Sequence, residues 1–202
     1  MKNYIMVNDR QIELTEDHIH EIADALNRNQ VLLSAVPVGE TIKIGGHEFI
    51  VLGQYEDETA LITKDIIEKM AFGNNNNFAS SAVDAWCENF AEDLSSTVGE
   101  RNIIEHTVDL TSDDGLKDYG TVQRKVSLFT TEQYRNYVDI LDKYKPDAWW
   151  WLATPFSTPR HCNDTWVKCV SPSGYFSDDI CGFGDFGVRP FCILKSSIFV
   201  SR

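Results

Sequence analysis

The sequence contains no apolar run approaching the ~18 residues of a membrane span, so no membrane-inserted helix is expected. Its first residues, Met1 to Asp9, turn polar before any long apolar stretch develops, so no signal peptide is read there. Close cysteine pairs are missing as well. Cys87, Cys162, Cys169, Cys181 and Cys192 are odd in number and widely spaced, unlike the CxxC pairs of structural zinc sites. Free thiols and a cytoplasmic site of synthesis are therefore expected, with release only by assembly or lysis. Positive charge is scarce: 18 Lys and Arg stand against 31 Asp and Glu, giving a net charge of −13. Such a surface repels phosphate backbones, which disfavours nucleic acid as a partner; its plain role is solubility.

Hydrophobic residues make up 43% of the 202 residues, enough for one fairly large core, with room for a small appendage. The pattern divides at residue 36. Residues 1–36 read as a hairpin from Tyr4 to Leu14, turning at Asn8 and Asp9, then a Thr15-capped helix with Ile19, Ile22, Ala23 and Leu26 on one stripe, ending near Asn29. That stripe suits core packing or, as the sharper alternative, a dimer contact. His18 and His20 lie on different faces and form no ligand pair.

Residues 37–202 read as the main domain. Gly45-Gly46 joins the strands Thr41–Ile44 and His47–Leu52, and Thr59–Thr63 is a third strand. Lys64–Met70 reads as a short helix or turn. Ser80–Leu94 reads as a helix burying Val83, Trp86, Cys87, Phe90 and Leu94. Thr107–Gly120 is acidic and turn-rich; without the EF-hand order, Asp109, Asp113, Asp114 and Asp118 read as a solvated loop. A strand at Val126–Phe129 precedes a helix capped at Thr130 or Thr131 and closed by Pro146. The strands Trp149–Leu152 and Trp166–Val170 follow, and the stretch from Gly187 enters a last strand pair ending at Val200. The expected class is α+β, with antiparallel sheets and two or three flanking helices.

The segment 157–187 differs from its surroundings. It is rich in Gly, Ser, Asp and aromatics, and two stiff blocks, Trp149–Pro155 and Gly187–Pro190, bracket it. Such a frame around long loops points to recognition. Gly182 to Gly187 spells GxGxxG, but no helix follows it, so a dinucleotide site is rejected and the glycines read as loop residues with positive φ. Asn163-Asp164-Thr165 is a sequon in form, inert without secretion. Cys162 and His161 are adjacent and point apart on an extended chain, which makes them a poor Cys/His nucleophile pair.

Trp150-Trp151-Leu152-x-x-Pro155, the Val170 to Gly174 turn and Gly187-Val188-Arg189-Pro190 together resemble an uncharacterised bacterial and phage domain family reading WWLRSP, V-N-x-D-G and GGVRPA. The likeness extends upstream through Ile42–Phe49 and Ala60–Lys64, so it covers residues 38–200. Ala153 and Phe191 depart from its pattern. The resemblance implies a C-type-lectin-like fold, shared with formylglycine-generating enzymes and phage receptor-binding proteins, with long C-terminal loops at 157–187 displayed on a fixed scaffold. Some relatives are diversified by retroelements that rewrite adenines, so asparagine codons become any codon ending in a pyrimidine. Residues 157–187 contain no Met, Gln or Glu, as such rewriting would give; an ordinary Gly/Ser/Asp loop is the equal alternative.

The expected activity is therefore display of a ligand-binding surface, not catalysis. The candidate contacts are Arg160, His161, Asn163, Asp164, Tyr175, Asp178, Asp179, Phe183, Asp185 and Phe186. Trp150, Trp151, Pro155, Gly187, Arg189 and Pro190 are the expected structural frame, with Arg189 tying carbonyls and a carboxylate together. The expected ligand is a protein or glycan, with no cofactor. Asn163-Asp164 matches one element of the lectin calcium site, but the rest is missing, so metal-free binding is expected. A homo-oligomer or incorporation into a virion is compatible with this reading. Two alternatives are a formylglycine-generating-type enzyme, which needs two paired cysteine sulfurs, and a structural subunit of a phage or cell-surface assembly.

Overall fold

The computed structural model describes residues 4–7, 10–27 and 30–202, and it is an α+β protein. Three helices occur among these residues: α1 (Glu16–Asn27), α2 (Ala82–Val98) and α3 (Thr131–Leu141). Two larger sheets carry the fold. In the first, strands run in the order Val126–Ser127, Phe191–Lys195, Glu58–Thr63, His47–Gln54, Thr41–Ile44, Phe199–Ser201 and Gln30–Leu32, with Ile103–Ile104 pairing beside Phe191–Lys195. In the second the order is Phe176–Ile180, Trp166–Val170, Trp150–Pro155, Gly187–Val188 and Glu68–Lys69. All pairs are antiparallel except Trp150–Pro155 with Gly187–Val188, and two separate hairpins complete the strands.

The local rules are visible at the helix ends. Ser81 accepts the Asp84 N–H at the start of α2, and Gly99 closes it with a φ of 86°. Thr130 and Gln133 exchange side-chain bonds with each other's backbone at the start of α3, a full capping box. Both faces of the larger sheet are covered. Phe49, Val51 and Leu61 pack with α2 residues Val83, Cys87 and Phe90 on one side. Ile50, Leu52 and Ile62 pack with Tyr134 and Leu141 of α3 on the other. Trp151 enters the first cluster and Trp150 the second, because neighbours on a strand point to opposite faces. Each indole removes ~200 Å² from water, worth up to about 5 kcal/mol at ~25 cal/mol per Å². The small sheet is thus bolted to the large one through both faces of a single strand.

Several expectations are corrected. Lys64–Met70 holds no helix; Glu68–Lys69 is an edge strand paired with Gly187–Val188. Phe191–Lys195 and Phe199–Ser201 do not pair with each other: the first lies against Glu58–Thr63, the second against Gln30–Leu32 and Thr41–Ile44. Gln30–Leu32 therefore belongs to the large sheet, and Leu33 and Val36 lie in its core. Residues 30–36 thus join the large sheet and its core, while Gln30–Leu32 also contacts α1. The N-terminal hairpin pairs Tyr4–Val7 with Arg10–Glu13, while its turn at Asn8 and Asp9, the side chains of Ala25–Asn27, and Asn29 lie outside the described residues. Ile19 and Ile22 of α1 are only half-buried.

Candidate functional site

The frame of the small sheet is fixed by close contacts. The Arg189 guanidinium is buried and donates to three carbonyls: Nε to Thr63 (2.8 Å), and Nη2 to Lys64 (3.0 Å) and Tyr144 (3.2 Å). It also lies 5.2 Å from the centre of the Trp150 ring. Among the described residues no carboxylate pairs with it directly, so the expected carboxylate link is replaced by a third carbonyl and an indole face. Burial lowers its pKa to about 10, which still leaves it a cation at neutral pH. Pro190 contributes its carbonyl to Thr63 N–H at 2.9 Å, and Pro155 its carbonyl to Asp113 N–H at 2.9 Å.

Gly187 is needed for space. A Cβ there would sit 2.5 Å from Ile66 Cδ1, well inside contact distance. Gly182 and Gly184 are not in the positive-φ region, contrary to the expectation from sequence; Gly174, in the turn between Trp166–Val170 and Phe176–Ile180, is, at 91°. Phe186 is also corrected. It is buried, stacked on Trp151 with ring centroids 4.2 Å apart, and cannot meet a ligand in this conformation.

Residues 157–165 form a loop clamped from two directions. From below comes Asn76, completely buried. Its Nδ2 donates to the carbonyls of Ser157 (3.0 Å), Trp166 (3.0 Å) and Asn163 (3.4 Å), and its backbone N–H to Asp164 O at 2.7 Å. From the side comes the acidic loop. Asp114 accepts from Ser112, from Ser157 Oγ (2.7 Å) and from His161 Nδ1 (2.8 Å), and these bonds hold its carboxyl far below the usual range. Asp118 accepts from Thr158 Oγ1 at 2.6 Å and from Arg160. The acidic stretch is therefore a structural partner of the displayed loop, not merely solvated. Its carboxylates anchor the loop through the side chains of Ser157, Thr158, Arg160 and His161.

The clamp assigns roles within the candidate contacts. Arg160 and His161 are exposed but each engages an aspartate. Asn163 is half-buried, and its Oδ1 accepts the N–H groups of Thr165 and Trp166, an Asx turn that feeds the next strand. Asp164, Phe183 and Asp185 are exposed. Tyr175 is exposed too, against Trp149, but it lies beyond the Val170 end of the hairpin, ~13 Å of strand away from Trp166. The ten residues do not form one patch.

A row of three residues outside that set does, with Phe183 beside it. Trp166 lies directly opposite Ile180, and Phe156 N–H bonds to Trp166 O at 2.9 Å. Three adjacent chains thus present Phe156, Trp166 and Ile180 in one row on the outward face, 38%, 38% and 44% exposed. Phe183, 51% exposed, follows in the turn after Ile180, its N–H bonded to Ile180 O. Two residues along the same face, Lys168 lies opposite Asp178. Its ammonium is 3.3 Å from Asp178 and 3.2 Å from Asp113, and 5.7 Å from the Phe156 ring centre. Asp179 turns to the other face and bonds the N–H of Ile180 at 2.7 Å. The alternation in Trp166-Val167-Lys168-Cys169-Val170 was the available signal for this row. It became decisive only with the Phe176–Ile180 strand, which Phe-Ser-Asp-Asp-Ile does not advertise.

Four of the five thiols, Cys87, Cys169, Cys181 and Cys192, are buried, and all five are free. Burial pushes Cys169 and Cys192 up to about 12, which suppresses the thiolate. Among the described residues no helix is long and apolar enough to cross a membrane, and no group of three His, Cys, Asp or Glu is placed to hold a metal. Comparison with protein-family models, curated proteins and solved structures gave no match.

Proposed function

We propose that this chain is a recognition protein that engages a protein or glycan ligand through the outward face and loop tips of its smaller sheet. The observation that carries the reading is the row Phe156, Trp166 and Ile180, three large apolar side chains exposed on adjacent segments, with Phe183 exposed in the turn that follows. Water-exposed aromatics in a contiguous row lose contact with water only when a partner covers them. The loop beneath is held by Asn76, Asp114 and Asp118, so little ordering is left for binding to require. Asp164 and Asp185 at the loop tips supply orientation.

The C-type-lectin-like assignment belongs to this proposal. It is supported by the α+β class, by loops hung on a small sheet that is packed against a larger one, and by the family-like blocks at both ends of those loops. Retroelement diversification and a phage origin fit the separation between positions that hold the frame and positions that meet solvent. In that case Trp166, whose codon cannot end in a pyrimidine, is the constant anchor among variable neighbours. A neighbouring reverse transcriptase with a template copy differing at adenines would support it. The formylglycine-generating alternative needs two adjacent reactive sulfurs, and the burial of four thiols opposes it.

The test pans a displayed random-peptide library and a glycan array on the wild-type chain, then repeats both with Phe156→Ala/Trp166→Ala. Binders that disappear with the double variant, while its melting temperature stays within a few degrees, support the reading. Binders that ignore the substitution place recognition elsewhere and overturn it.

A further inference from the structure

Phe176–Ile180 is the outermost strand of the small sheet, and no described strand pairs with its far side. Its hydrogen-bonding parity can be read from its neighbours. Cys181 N–H bonds to Thr165 O and Ser171 N–H to Tyr175 O, so the odd-numbered residues between them face Trp166–Val170. The even-numbered residues face outward. Ile180 is already satisfied: its N–H bonds to Asp179 Oδ1, and its carbonyl accepts from Phe183. Phe176 and Asp178 are left with an N–H and a C=O each, aimed away from the sheet.

Resting on the recognition reading above, we propose that this edge receives an extended, basic segment of the partner as a sixth strand. A strand added there continues the rows of the sheet. Its residue opposite Ile180 extends the apolar row from Phe156 through Trp166, and its residues opposite Asp178 and Asp179 meet carboxylates. The edge strand carries two acidic residues and no basic one, on a chain of net charge −13. Antiparallel pairing with the same strand of a second copy about Asp178 would set that carboxylate against its equal, with Asp179 of each copy one residue away, a repulsive arrangement. The charge therefore selects against self-association and for a cationic partner, a common protection of free edges put to use. The occupant is an extended segment with apolar residues at either end and two lysines or arginines between them.

The probe is the blocked peptide Thr-Val-Lys-Lys-Thr-Val-Thr, titrated into ¹⁵N-labelled full-length protein at low salt. Expected are amide shifts concentrated at residues 176–180. Methylating the peptide nitrogens of both Val residues and of the second Lys should remove them. Replacing both Lys by Glu should weaken binding at least tenfold, and Asp178→Asn/Asp179→Asn should do so about fivefold. Binding that survives methylation reduces the contact to side-chain charge and overturns the added strand. Concentration-dependent shifts of the same residues in the protein alone would overturn the exclusion of a second copy. If the peptide fails while Trp166-dependent library binders exist, the edge proposal falls alone. If both fail, the recognition reading falls with it.

Discussion

The Tyr119 hydroxyl donates to Asn76 Oδ1 at 2.7 Å, and this one bond decides which way the buried amide points. With its oxygen occupied by Tyr119, the nitrogen is left facing the carbonyls of Ser157, Asn163 and Trp166. Asn76→Ala strands those carbonyls and the Tyr119 hydroxyl, so a loss of about 2–4 kcal/mol is expected in urea unfolding. Asn76→Asp is expected to be no better, since a carboxylate faces carbonyl oxygens. Tyr119→Phe should cost about 1 kcal/mol, and the double variant less than the sum. An Asn76→Ala protein as stable as wild type would show that the loop is held otherwise.

Gly187→Ala introduces a methyl group into space that Ile66 occupies. The expected loss is about 1–3 kcal/mol from overpacking. Ile66→Ala opens that space, so the double variant should be more stable than the sum of the two single effects predicts. Additive losses would mean that the backbone, not Ile66, resists the methyl.

His106 gives stability an acid dependence. Its ring is buried, with Nε2 2.8 Å from Ser127 Oγ, and burial lowers its pKa from 6.5 to about 4. The unfolded chain takes up a proton below pH 6.5 that the folded chain refuses until about pH 4. Its contribution is complete above 6.5, declines as pH falls through that window, and is flat below it, a change of about 3 kcal/mol. Asp114 acts lower: its depressed carboxyl contributes above the ordinary carboxylate range and is lost only in stronger acid. His106→Gln should therefore narrow the gap in urea midpoint between pH 7 and pH 4.5. An unchanged gap would assign the acid sensitivity to other groups.

Thiol accessibility is equally direct. Cys162 is exposed and the other four thiols are buried. A disulfide reagent should titrate one thiol quickly in native protein and the remainder only on unfolding, and Cys162→Ser should abolish the fast phase. Two fast thiols would reopen the paired-sulfur chemistry.

Much of the frame was legible because it follows short-range rules. The Gly45-Gly46 turn lies between Thr41–Ile44 and His47–Gln54, Thr130 caps α3, and Trp166–Val170 is the strand its alternation suggests. The functional surface was less legible because it is assembled across the chain. Phe156, Trp166 and Ile180 become neighbours only through register, and Asn76 resembles any other member of an Asn run until 80 to 90 residues later three carbonyls arrive around it. Glycine was misread for a related reason: at Gly187 the constraint is a distant isoleucine, not the local torsion.

Gln30 and Ser201 face each other across the antiparallel pair formed by the first and last strands of the main body. The two points where the chain enters and leaves that body are thus about 5 Å apart, one strand spacing. A module with such adjacent ends can replace a surface turn in another protein without forcing the host's strands apart. Residues 30–201 would meet such a host at two points one strand apart, carrying their aromatic row with them.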